Sequence, residues 1–190
     1  NLKTELFFGG RYQKMTSVLA GMASLEFEAQ LRAELPEKAG RGAVFDCRAW
    51  TVPTTEEAAN AFLWREQDAV KNSISSAAQS VFSHKQLFGK HTGEMQEMLF
   101  QKGINWNDYP AFFKRGTYLQ RKSVSRPFTV EELAELPPLH NARKNPGLVV
   151  ERHEVRELQL PPLAKVVNRV AVLLLSEEPR LGAKEVPSNG

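Results

Sequence analysis

Cysteine is nearly missing from this chain: Cys47 stands alone among 190 residues. A single thiol excludes an internal disulfide and a cysteine zinc cage, and it fits a reducing, cytoplasmic setting. Long apolar runs are missing too. The longest stretch, residues 166–175 (VVNRVAVLLL), carries Arg169 and falls short of the about 18 residues of a membrane span. It reads as a core helix or strand, so no membrane partner is expected, and no signal peptide is visible. The four histidines, His84, His91, His140 and His153, are scattered without ligand spacing, which argues against a zinc site. Cys47 has no histidine near it in sequence and reads as a core residue rather than a nucleophile. Neither a P-loop nor a GxGxxG run occurs.

What is present is a mildly basic, largely globular composition. The net charge is +3 and 42% of residues are hydrophobic, with a pI near 9.0. The distribution of charge says more than its sum. Residues 109–126 hold Lys114, Arg115, Arg121, Lys122 and Arg126 and no acid. Such a patch suits a phosphate-bearing partner; it equally suits a solvated strand edge, where lysines discourage aggregation.

Periodicity divides the chain into elements. Residues 2–8 read as a strand or strand end closed by Gly9-Gly10. A helix follows over about 12–35, with Met15, Val18, Leu19, Met22, Leu25 and Phe27 at spacings of three and four. Residues 43–50 (AVFDCRAW) read as a buried strand. A second helix starts at Thr54, with Glu56 and Glu57 in its first turn, and runs to about Phe82 on a stripe of Ala59, Leu63, Val70, Ile74, Ala77 and Val81. A helix over 92–101 ends at Gly103. Residues 115–122 read as a strand, and a short helix opens at Thr129 with Glu132 in the capping-box position. Residues 141–147 read as a loop, 148–158 as a strand and 163–175 as a last helix. The order gives an α+β fold, an antiparallel sheet with helices packed on one face. It divides into a domain over 1–125 and a C-terminal extension over 126–190 with a strand, a helix and a frayed tail.

Three constellations could carry chemistry. In GGRYQKM, residues 9–15, two glycines precede a helix on whose first turn Arg11 and Lys14 sit three apart. Helix-start N–H groups and two cations suit a triphosphate, although a Gly-Gly turn before surface cations is also common without any ligand. In WREQDAVKN, Arg65, Asp68 and Asn72 fall on one helix face; spacing alone also fits a polar outer face. In GINWNDYPAFFKRGT, Asn105, Asn107 and Asp108 suit a tight turn, and Gly116 allows close backbone approach just after Lys114 and Arg115.

Together the stretches FFGGRYQKMTSVLA, FDCRAW, WREQDAVKN, MLFQKGINWNDYP and FKRGTYL resemble the tRNA-His guanylyltransferase family, the 3′-to-5′ polymerases, over roughly residues 4–122. The resemblance implies a fold like part of a polymerase palm and addition of nucleotides to the 5′ end of tRNA, with magnesium as cofactor and a nucleoside triphosphate, GTP first, as substrate. It implies a homo-oligomer, a tetramer by family habit. By the same resemblance Arg11 and Lys14 bind the triphosphate, Arg65, Asp68 and Asn72 lie on the signature helix, and Lys114 and Arg115 form the RNA-facing basic pair before Gly-Thr. The family's metal-binding aspartates are expected upstream of Asn1, so no catalytic or metal-ligating residue is assigned within these 190 residues, and the isolated chain is expected to be inactive.

The sequence departs from the eukaryotic pattern. Where eukaryotic members carry His-Ile-Asn-Asn-Leu-Tyr-Asn, residues 70–76 read VKNSISS and keep only Asn72 in place. The lysine expected before the Asn-Glu-hydrophobic run is absent from MQEMLF. Both departures resemble the bacterial and archaeal "like" branch, whose members repair truncated 5′ ends on a template. The competing expectation is a non-catalytic RNA-binding module on a palm-like fold.

Overall fold

The computed structural model describes residues 6–182 and divides into two compact units, one over residues 1–53 and one over 54–190. The first unit is built on α1 (Tyr12–Glu34). Pro36 opens a single 3-10 turn, Pro36–Lys38, that ends the helix run, because proline cannot donate to a continuing ladder. The chain then doubles back. Gly40 donates its N–H to Glu28 Oε1 (2.8 Å), and Phe45 donates to Ser24 Oγ (3.0 Å). Phe45 meets Phe27 edge-on, with ring centroids 5.3 Å apart.

Among the described residues, neither of the two strands expected here is formed. Residues 1–5 lie outside the described residues, and Phe7–Gly10 is a 3-10 turn. Phe8, Gly9 and Gly10 all have positive φ, at 50°, 62° and 71°, a left-handed run that no strand accommodates. Residues 43–50 have no regular secondary structure. Alternating apolar residues alone do not make a strand; a ladder partner is needed, and among the described residues the only sheet is the one below.

The second unit is organised around α2 (Thr55–Gln79). Thr54 caps it by accepting the N–H of Glu57 (3.2 Å), which satisfies one orphan donor of the first turn. Packed on it are α4 (Thr92–Gln101), α5 (Ala111–Arg115) and α8 (Arg169–Leu175), with the short α3 (His84–Leu87) beyond its end. Its small residues Ala77 and Ala78 are buried with Leu87 and Leu99, and Met95, Met98, Trp106, Tyr109 and Phe113 close over them. Small side chains let α4 and α5 approach the α2 backbone, so this stretch of α2 is a packing surface. A second core gathers Leu163, Val166 and Val172 with Leu63 and Tyr118.

The sheet is a two-stranded antiparallel ribbon. β1 (Tyr118–Pro127) pairs with β2 (Val149–Leu158) from Tyr118 opposite Leu158 to Pro127 opposite Val149. The strand expected from residue 115 begins three residues later, because Gly116, at φ 81°, ends α5 first. Along β1 half-buried and exposed residues alternate, so one face meets the helices and the other meets solvent. Gln120 on the covered face donates to the carbonyls of Val172 and Leu173 (both 3.0 Å). The fold is thus α+β with helices on one face of an antiparallel sheet. The division drawn in the sequence at 125/126 falls inside β1, whose partner strand lies wholly beyond it.

The far end of the ribbon carries α6 (Val130–Glu135) and α7 (Asn141–Lys144), the latter in the stretch expected to be loop. The capping box read at Thr129 is formed: Glu132 donates its N–H to Thr129 Oγ1, and its carboxylate accepts the Thr129 N–H (2.9 Å). The final apolar run is shorter than expected, a 3-10 turn at Leu163–Lys165 followed by α8. No helix among the described residues is long and apolar enough to cross a membrane.

Candidate nucleotide and RNA interface

In the first unit, the turn before α1 is a run of three left-handed residues, with the Gly9 N–H on the Leu6 carbonyl (2.7 Å). It turns the Phe8 carbonyl toward Arg11, whose Nε donates to it (3.3 Å). Lys14 Nζ stands 4.9 Å from the Phe8 ring centroid. The structure therefore brings Arg11 and Lys14 together around Phe8, both exposed. Two cations held beside a helix start can receive an anionic group.

In the second unit, Arg65, Asp68 and Asn72 share one face of α2. Arg65 pairs with Asp68 (2.9 Å), and Asn72 Nδ2 donates to the same Asp68 Oδ2 (3.4 Å). Arg65 also lies against the Trp64 ring, 5.4 Å from its centroid. The face is a preformed polar ladder whose one carboxylate is already engaged.

Lys114 and Arg115 end α5, and the structure sends them to different places. Lys114 Nζ donates to the Asn107 carbonyl and stands 5.6 Å from the Trp106 ring centroid. Arg115 enters a crevice with Glu66, Gly116, Thr117 and Tyr118. The turn that Lys114 clamps is the one quoted above: Asn105 Oδ1 accepts the N–H of Asn107 (3.1 Å), and Asn105 caps the 3-10 turn Trp106–Asp108. Trp106 Nε1 donates to Ser73 Oγ (3.1 Å), and Ser73 Oγ reaches the Lys114 carbonyl (3.4 Å). The buried serine thus ties α2, the turn and α5 into one rigid corner.

Glu66 is the residue that the sequence reading missed. It is 6% exposed and both its oxygens are used. Oε1 accepts the Leu163 N–H (2.8 Å), and Oε2 accepts the Tyr118 hydroxyl (3.0 Å). Burial, reinforced by the Glu66 charge, pushes the Tyr118 phenol well above its usual 10.0, with Arg115 opposing in part. The signal was available: Glu66 follows Leu63 by three and precedes Val70 by four, so it sits on the apolar stripe, where a carboxylate must be partnered.

A pair of magnesium ions does not fit the side chains described. Among the described residues no group of three His, Cys, Asp or Glu converges. Asp46 is bound by Arg48 (2.8 Å), Asp68 by Arg65, and Glu66 by two hydrogen bonds.

Comparison with known proteins places these motifs in context. No family model matches the chain. A tRNA(His) guanylyltransferase of Debaryomyces hansenii is 30% identical over 129 residues, covering 60% of this chain and 49% of that protein. A probable tRNA(His) guanylyltransferase of Drosophila melanogaster is 31% identical over 91 residues, covering 42% of this chain and 32% of that protein. Among solved structures, a bacterial tRNA(His) guanylyltransferase-like protein in complex with ATP superimposes with a TM-score of 0.61 at 36% identity, covering 87% of this chain and 59% of that one. One in complex with GTP gives 0.53 at 30% identity, covering 87% and 56%. The chain thus spans half or less of the length of these curated relatives. In sequence and in fold, it matches a portion of the tRNA(His) guanylyltransferase family.

Proposed function

We propose that these residues form part of a 3′-to-5′ nucleotidyltransferase that adds nucleotides to the 5′ end of tRNA, in the "like" branch that repairs truncated ends. The observation that carries this reading is the likeness, at 36% identity over 87% of the chain, to a bacterial guanylyltransferase-like protein in complex with ATP. The paired cations Arg11 and Lys14 at the start of α1 support it, because a triphosphate is neutralised by such charge-assisted donors. In this reading they hold the triphosphate of GTP or ATP, and Lys114 and Arg115 face RNA phosphates. Magnesium is held by carboxylates outside residues 6–182, the assembly is a homo-oligomer, and the setting is cytoplasmic.

The test is 5′ extension of a tRNA lacking its first nucleotide, with GTP, ATP and magnesium, by the full-length protein and by residues 1–190 alone. The reading expects extension by the full-length protein and none by the 190-residue chain. No extension by either, with tRNA still bound, favours the alternative of a non-catalytic RNA-binding module. Robust extension by the 190-residue chain overturns the placement of the metal ligands.

A further inference from the structure

Beside the corner built by Ser73, Trp106 and Lys114 lies an open cleft of about 270 Å³. Gln96, Glu97 and Phe100, one face of α4, form one wall, and Asn105, Trp106 and Asn107 form the other. Phe100 is unusual on this wall: it is 64% exposed, while its neighbour Leu99 is fully buried. A large aromatic ring standing in solvent at the mouth of a cleft is a stacking platform without an occupant from the described residues. Gln96 offers an amide, donor and acceptor together, and Glu97, whose Oε1 accepts from Gln101 Nε2 (3.2 Å), offers its other carboxylate oxygen as an acceptor. Lys114 does not line the cleft itself but adjoins it, standing over Trp106 and anchored on the Asn107 carbonyl. Ring, amide, carboxylate and one adjacent cation match the parts of one nucleotide: base face, base edge and a single bridging phosphate.

We propose that this cleft is a subsite for one unpaired nucleotide of an RNA strand, the base stacked on Phe100 and read at its edge by Gln96 and Glu97, with its phosphate on Lys114. The assignment rests on the reading that RNA is a partner. A strand rather than a free triphosphate is favoured because no Lys or Arg lines the cleft and Lys114 is the cation shown against its lining residues, charge that suits one phosphodiester and not a triphosphate; Arg115, in the Tyr118 crevice, is left for a neighbouring phosphate. A duplex is disfavoured because its bases are stacked and unavailable to a side-chain ring.

The test uses residues 1–190 and three fluorescein-labelled probes of equal length in anisotropy titrations: a single-stranded RNA, an RNA duplex and an abasic single strand. Phe100→Ala is expected to weaken the single strand by about fivefold or more and to leave the duplex and abasic strand unchanged. Phe100→Trp is expected to restore binding, which separates stacking from misfolding. Gln96→Leu is expected to change the preference among bases, and Lys114→Ala to lower the salt slope for all three probes by about one. Equal effects of Phe100→Ala on the three probes, or none, overturn the base subsite while leaving RNA binding intact. Displacement of the single strand by GMP at equal strength overturns the strand assignment. Absence of binding to any probe and to whole tRNA overturns the inference together with the reading beneath it.

Discussion

Glu66 and Arg11 show how differently two charged residues act in one chain. Glu66 is buried and is held by the Leu163 N–H and the Tyr118 hydroxyl. Glu66→Ala would leave both donors without an acceptor, so it should cost about 2–4 kcal/mol, read as a fall in the urea midpoint. Tyr118 adds a pH dependence with a definite sign. Its folded phenol holds its proton more tightly than the usual 10.0, so this stability is complete below pH 10.0 and is lost as pH rises beyond it. Tyr118→Phe should flatten that alkaline loss in melting curves taken on either side of pH 10.0. Arg11 is exposed, and among the described residues its side chain hydrogen-bonds to the Phe8 carbonyl alone. Arg11→Ala should therefore hardly change the melt. If the triphosphate reading holds, it should raise the KM for nucleotide in the full-length protein far more than the KM for tRNA. Steady-state kinetics showing an equal effect on both substrates would count against a triphosphate at this corner.

At the scale of elements, the α6 end of the ribbon is fastened by charge. Arg126 binds Glu132 through both terminal nitrogens (2.8 and 2.9 Å) and reaches Glu154 through Nε (3.0 Å). Arg156 also pairs with Glu154 (2.9 Å), and Arg152 lies over the Phe128 ring. An isolated two-stranded ribbon is marginal in water, and this network spans both strands and α6. Arg126, helped by the Thr129 N–H, lowers the Glu132 carboxyl to about 2 from its usual 4.5. A depressed acid gives stability that is present above 4.5 and is lost as pH falls toward 2. Hydrogen exchange across residues 128–148 should therefore accelerate through that window. Glu132→Gln should produce the same acceleration at neutral pH, with no matching change in α2. Uniform exchange across both regions would mean that the network does not govern this end.

At the scale of the molecule, the two units differ in kind. Residues 54–182 contain every buried side chain among the described residues, including the clusters around Leu99 and around Leu163. Residues 6–53 contain none, and Leu25, Val44 and Trp50 are 75%, 87% and 59% exposed. Without buried apolar area the ordering entropy of a segment is not offset. Limited proteolysis of the 190-residue chain should therefore cut within residues 35–53 first and leave a resistant fragment beginning near Thr54. Cleavage inside α2 at comparable rates would contradict this.

Local signals in the sequence settled the helices, because a helix is a local object. The steps of the stripe from Ala59 to Ala77, the Thr54 cap and the Thr129 capping box each join residues within one or two turns, and the structure has them at those positions. Spacing also settled the shared face of Arg65, Asp68 and Asn72, since residues three and four apart on a helix are neighbours; Arg11, read as lying on the first turn with Lys14, is instead the extended residue just before α1. Strands were legible only where a partner exists. VVERHEVREL found one in YLQRKSVSRP, whereas AVFDCRAW, with the same alternation, has none among the described residues, because a ladder is made between segments and alternation describes one. The tying of Trp106 to Ser73 and the placing of Glu66 beneath Tyr118 and Leu163 depend on distances across 33 to 97 residues of chain. Periodicity carries no information about such distances, and only the packing of α4, α5 and the ribbon against α2 decided them.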